Sequence, residues 1–249
     1  MLRLLISLSI ITCSLKIHAY YVTGGLLYHV NLVKQNSDNI TFDIVNDEKE
    51  DNIFNIEYGT IEISQDGVVT LNKNDNQSLP IVGPSTSLPV PAGDKQTITI
   101  EIKKQNPNSH ANYLSLGVLV SKVSKDMQVE SHGQVTTAFK IVQNYLIQVY
   151  AQLKRPEIGQ IEIDKAKLNG QFLEFELTNH SKELAESEVF VFLKKENKSL
   201  GEPLKRKTRI LADHTRTLKF ELNDNDVTSA VVFIDDPNFE LAQKEFNLK

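Results

Sequence analysis

Apolar side chains in this chain recur at every second residue far more often than at every third or fourth, and that restricts it to strands. The clearest instance is Ile98, Ile100 and Ile102 interleaved with Thr97, Thr99 and Glu101. Successive side chains of a strand point to opposite faces, so this pattern makes one sheet face dry and the other wet. Ile40, Phe42 and Ile44 repeat it ahead of the polar run 46–52, as do Phe54, Ile56 and Tyr58, then Ile61 and Ile63 before the turn pair Asp66-Gly67. Residues 113–123 are mostly apolar and suit a strand covered on both faces. Residues 135–153 read as one long strand, well beyond the common five or six residues.

A second set of short strands follows around Ile161 and Ile163, then 172–178, 189–193, 217–222 and 230–234. Residues 183–188 are the one stretch expected to make a turn of helix. Residues 79–93 hold Pro80, Pro84, Pro89 and Pro91, which denies them a central strand position and predicts an edge or sheet-crossing segment. Lys154-Arg155-Pro156-Glu157-Ile158-Gly159 is polar with Pro and Gly, the composition of a boundary. The expectation is an all-β protein of two immunoglobulin-like β-sandwich domains in tandem, 20–153 and 160–249, joined by a linker over 154–159. The sequence has no Trp and one Cys, which excludes the disulfide-pinned antibody core.

At the N-terminus, Leu2-Arg3, an apolar run over 4–15 and a small residue at Ala19 have the layout of a secretory signal peptide, 1–19. Its apolar run is too short to span a bilayer, which takes roughly 20 residues. Cleavage removes Cys13, so the mature chain is expected to be soluble, exported and thiol-free, stabilised by cores rather than disulfides. An alternative makes Cys13 a lipid-bearing N-terminus, since Ile10-Ile11-Thr12-Cys13 imitates a lipoprotein box, although Thr12 fits that box poorly. Cleavage also takes Arg3 and Lys16 from the 27 basic residues, leaving 25 against 32 acidic ones and a formal charge of −7. That balance argues against nucleic acid or an anionic membrane as the partner.

No catalytic constellation emerges. There is no Gly-x-Ser-x-Gly elbow, and the five histidines left after the leader, at 29, 110, 132, 180 and 214, stand at no metal-ligand spacing. Asp224, Asp226, Asp235 and Asp236 lack the ligand pattern of a calcium loop and read as solvated turn carboxylates. The expectation is therefore a protein that is not an enzyme, with no cofactor, metal or small-molecule substrate. Lys205-Arg206-Lys207-Thr208-Arg209 is the one basic cluster; it reads as an exposed strand, or else as a patch for an acidic partner. Gly24-Gly25 is read as a flexible start rather than a phosphate loop.

In order along the chain, Phe42-Asp43-Ile44-Val45-Asn46-Asp47, Leu88-Pro89-Val90-Pro91-Ala92-Gly93-Asp94, the strand 145–150 leading into the linker, Leu173-Glu174-Phe175-Glu176-Leu177-Thr178-Asn179 and Leu211-Ala212-Asp213-His214-Thr215 resemble the PapD-like periplasmic chaperones of the chaperone-usher pathway. The last of these lacks the family's Pro-Gly. The resemblance implies a boomerang of two immunoglobulin-like domains acting in the periplasm in pilus assembly, fimbrium biogenesis and cell wall organisation. Its partners would be fimbrial or pilus subunits and an outer-membrane usher, with self-association when unoccupied. It further implies β-augmentation of the client, with the donor strand starting at Val135 and presenting either Val135, Phe139 and Ile141 or Ala138 and Val142. A one-residue shift exchanges those faces. The family's carboxylate-anchoring Arg and Lys would fall near His29-Val30 and Ile147-Gln148, where this chain has neither, so His29 and Lys140 are the candidate anchors. The rival reading is a secreted or periplasmic immunoglobulin-like adhesion module.

Overall fold

The structure, a computed structural model, describes residues 20–73, 79–84, 87–105, 111–123, 143–196, 198–222 and 227–248. Among them are strands and turns and no helix. The first half contains β1 (Tyr20–Thr23), β2 (Leu27–Asn31), β3 (Ser37–Asn46), β4 (Asn52–Ile63), β5 (Val69–Asn72), β6 (Ile81–Val82), β7 (Leu88–Val90), β8 (Lys95–Lys103), β9 (Tyr113–Lys122) and β10 (Asn144–Gln152). The second contains β11 (Ile161–Asn169), β12 (Phe172–Asn179), β13 (Ala185–Lys195), β14 (Lys198–Ser199), β15 (Leu204–Ile210), β16 (Thr215–Glu221), β17 (Ser229–Asp235) and β18 (Ala242–Asn247).

Strands β1-β3-β8-β6 make one sheet and β2-β10-β9-β4-β5, with β7 on β4, the sheet that faces it. The second sandwich pairs β11-β12-β16 with β14-β13-β17-β18, and β15 lies beside β13. The alternation read from the sequence holds: Ile40, Phe42 and Ile44 of β3 and Ile98, Ile100 and Ile102 of β8 are buried in one core with Phe54, Val118 and Val149. Leu173, Phe175 and Leu177 of β12 fill the other core, where Phe175 stacks on Phe220 at 5.8 Å. The proline-rich segment crosses between sheets, since β6 pairs with β8 and β7 with β4. The fold is all-β, two immunoglobulin-like sandwiches in tandem.

Three expectations need correction. The stretch 183–188 is not helical: Ala185 begins β13, because Ala185, Ser187, Val189 and Val191 alternate into the core and tertiary burial overrides the helix propensity of the glutamates. Asp236 is not a solvated turn residue but is buried, accepting hydrogen bonds from the Glu186 amide, the Ser187 hydroxyl and the Asn238 amide. Gly24-Gly25 is not a loose leader. At φ of 96° and 102° the two glycines carry the first strand out of one sheet and into the other: β1 pairs antiparallel with β3, then β2 pairs parallel with β10. A Cβ on Gly24 would meet Tyr28 Oη at 2.9 Å and the Phe42 Cα at 3.1 Å, so the crossing needs glycine for space as well as for φ.

Candidate functional site between the sandwiches

The strand switch leaves β10 paired unequally. On one flank β9 runs beside it from Asn144 to Gln152; on the other, β2 joins only from Gln148, opposite Leu27. The Gln148 amide donates to the Leu26 carbonyl, so even-numbered residues turn their main-chain groups to that flank. By that alternation Leu146 and Asn144 point theirs the same way, and among the described residues no strand meets them. Across this seam Tyr145 Oη donates to the Tyr20 carbonyl at 3.1 Å, with the two rings 5.4 Å apart. Ile147, Val149 and Ala151 face the core. Val135, Phe139, Ile141, Val142 and Lys140 lie outside the described residues.

Below the seam, the outward side of the same sheet meets the second sandwich. Ile61, Ile63, Tyr113 and Tyr150 pack on Leu211 in an apolar patch. Polar contacts surround it: the Ala212 amide donates to Tyr113 Oη at 2.8 Å, the Thr217 amide to the Gln65 carbonyl at 2.8 Å, and the buried Glu183 carboxylate accepts from Asn112, Gln152 and the Glu157 amide. Burial drives the Tyr113 phenol far above its usual range.

Beside this patch opens a cleft lined on the first sandwich by Leu27, His29, Ile63 and Gln148 and on the second by Glu188, Lys207, Arg209 and Arg216. The resemblance places anchoring cations near His29-Val30 and Ile147-Gln148; Val30 and Ile147 are core residues, which leaves His29 and Gln148. Both residues do line the cleft, on neighbouring strands, but the strong cations stand on the opposite wall. Lys207 and Arg209 lie two apart on β15, so they share its outward face, while Thr208 between them is buried. His29 Nε2 is 3.2 Å from Glu186 Oε2, and Arg209 Nε binds the other oxygen of the same carboxylate. Arg216 donates to the Arg209 carbonyl at 3.0 Å and its guanidinium lies against the Gly67 turn of the first sandwich.

Two buried polar atoms on this wall, Arg216 Nε and Thr208 Oγ1, have no partner among the described residues. Neither Arg216 nor Lys207 has a carboxylate at ion-pair distance among them. Burial, then repulsion from Arg206 and Arg209, pulls the Arg216 guanidinium below its ordinary value. Arg216 is thus a half-buried cation with one hydrogen bond to a carbonyl and no carboxylate partner among the described residues. The basic run 205–209 was visible in the sequence. That Lys207 and Arg209 would line a cleft shared with the first sandwich was not.

No family model and no curated protein matches the sequence at significance. Solved structures do match over nearly the whole chain. One is a chain from a chaperone–tip adhesin complex of CFA/I fimbriae biogenesis (12% identity, 92% of this chain and 98% of that one, TM-score 0.51). Another is the class 5 fimbriae chaperone CfaA (12% identity, 93% and 99%, TM-score 0.51). A third is a chain from the Salmonella enterica SafA pilin in complex with the SafB chaperone (8% identity, 94% and 98%, TM-score 0.51). Tandem immunoglobulin-like sandwiches of this kind define a class, and its fold is that of the chaperone-usher fimbrial chaperones. At these identities the fold is what is shared.

Proposed function

We propose that this chain is a periplasmic chaperone that captures fimbrial or pilus subunits by lending them a β-strand and hands them to an outer-membrane usher, rather than an enzyme. The observation that carries the reading is the unequal pairing of β10: among the described residues no strand meets its flank upstream of Gln148, where an extended client segment could add main-chain hydrogen bonds. Each bond added there is worth about 1 kcal/mol net, so affinity must also come from apolar side chains upstream. Val135, Phe139 and Ile141 are in phase, by sequence parity, with Ile147 and Val149, and we take that set as the donated one, with Val142 on the other face.

The client's terminal carboxylate is held in the cleft. His29 stands on the wall where the resemblance puts an anchor, and Lys207 and Arg216 supply from the second sandwich the charge that His29 and Gln148 do not. Residues 1–19 act as the export signal and are removed.

Co-expression with a β-rich subunit that lacks its own final strand is expected to yield a one-to-one complex from the periplasm. The double substitution Lys207→Glu, Arg216→Glu weakens that complex by about tenfold or more, the equivalent of roughly 1.4 kcal/mol. Recovery of free chain alone overturns the reading, and unchanged affinity in the double variant removes these two residues from the site. Capture of a complete, folded partner with no strand exchanged would mark an adhesion module instead.

A further inference from the structure

Strands β13 and β17 lie at the middle of their sheet, and each is apolar on both faces. Val189 and Val191 of β13, with Ala230, Val232 and Ile234 of β17, fill the core of the second sandwich. The residues between them, Phe190 and Phe192 on β13 and Val231 and Phe233 on β17, point to the opposite face by strand alternation. They belong to no core among the described residues. Phe190 and Phe233 meet across the strands with ring centroids 5.9 Å apart, and Phe192 stands opposite Val231 at 38% exposure. An antiparallel sheet that faces water alternates apolar with polar residues, whereas strands apolar on both faces are the pattern of a covered sheet.

The charges round this block have a direction. Lys205, Phe190, Phe233 and Gln243 make one row across β15, β13, β17 and β18, and Phe192, Val231 and Glu245 make the next. On the other side the row is Lys207, Glu188 and Asp235. Cations therefore stand on the β15 flank, where Lys205 Nζ lies 5.3 Å over the Phe190 ring, and carboxylates stand toward β17 and β18, where Lys194 holds Glu245. We propose that this face docks a second copy of the chain, sheet on sheet. A two-fold axis between the two faces and parallel to the strands sets the Lys205 flank of each copy on the Glu245 flank of the other, and the four apolar side chains on their own counterparts. The face is thus complementary to itself in charge as well as in character. Sheet geometry gives its four strands roughly 400 Å², well under the roughly 800 Å² per partner of a standard interface, so the dimer is weak and exchanges in the micromolar range. It uses the second sandwich alone, away from the flank of β10, and stands whether or not the chain captures a client.

Sedimentation equilibrium of the purified full chain tests it, and a reversible dimer is the expected result. Phe192→Asp raises the dissociation constant by about tenfold or more while leaving the thermal midpoint in place, since Phe192 is exposed. Lys205→Glu and Glu245→Lys each weaken pairing when alone, because they set like charges together. Mixed in equal amounts, the two variants pair with each other as well as the unsubstituted chain does, because every flank contact again joins a lysine to a glutamate. A chain that stays monomeric at millimolar concentration, a dimer that Phe192→Asp leaves intact, or charge variants with no preference for each other overturns the proposal. So does a different protein found seated on Phe192 of a monomeric chain.

Discussion

In the first sandwich Asn46 closes β3: its Nδ2 donates to the carbonyls of Glu50, Val90 and Pro91, and its Oδ1 accepts from Asn52 and the Glu48 amide. In the second, Asn179 closes β12 in the same way, with Nδ2 on the carbonyls of Glu183, Ile210 and Leu211 and Oδ1 on Ser181. Both side chains are fully buried. The strands that begin the two sandwiches nonetheless differ. The first breaks at Gly24-Gly25 and changes sheets, whereas β11 stays on β12 throughout, interrupted only by a bulge between Asp164 and Lys167. Shared framework chemistry thus marks what the fold requires, and one departure from it, the strand switch, coincides with the flank of β10 that no strand meets among the described residues.

The largest effect is expected where the sandwiches are alike. Truncating either asparagine strips buried carbonyls of a donor, and each such group costs about 1–3 kcal/mol. Asn46→Ala and Asn179→Ala are each expected to destabilise their own sandwich by about 3 kcal/mol. Urea unfolding followed through amide resonances of each half separates the two. Either substitution shifting both halves together would break the comparison, because the sandwiches would then unfold as one unit.

A smaller effect is expected where they differ. Gly24→Ala places a Cβ against Tyr28, Thr41 and Phe42 at a φ of 96°, for a cost of about 2 kcal/mol. It also tends to straighten the switch, so binding of the proposed subunit client is expected to fall further than stability alone accounts for. A variant that loses stability but binds in proportion to its folded fraction would separate the switch from the open flank.

The alternation of Ile98, Ile100 and Ile102, or of Leu173, Phe175 and Leu177, is legible because burial on one face is a local property of a strand. The asparagines were visible too, at the ends of the two strands that resemble the chaperone family. What stayed hidden depends on contacts distant in sequence. Gly24-Gly25 reads as a loose leader until Tyr28 and Phe42 are seen to pack on it. Lys205, Arg206 and Lys207 lie exposed on a strand, as the sequence suggests, but that Lys207 and Arg209 line one cleft with Leu27, His29 and Gln148 depends on the packing of the two halves. Glu183 to Glu188 carries helix-forming residues whose helical preference a β partner overrides.

The smallest effect tests how far the likeness between the sandwiches runs. Beyond each asparagine's carbonyl partners the chain turns through a left-handed residue: Gly93 at φ 72° in the first, Asp213 at φ 59° in the second. The surrounding bonds correspond, the Asp94 amide to the Pro91 carbonyl and the His214 amide to the Leu211 carbonyl, at 3.2 Å each. Nothing lies within 4 Å of a Cβ built on Gly93, so a side chain there meets no steric barrier and only the backbone conformation resists it. Alanine at 93 then costs about 1 kcal/mol. Aspartate costs about half as much, because its short polar side chain supports the left-handed region, and it is what the second sandwich already uses. The urea midpoints of Gly93→Ala and Gly93→Asp decide the matter. If aspartate is as damaging as alanine, Asp213 is tolerated for reasons peculiar to its own turn, where Ala212 docks on Tyr113, and the correspondence ends at the asparagines.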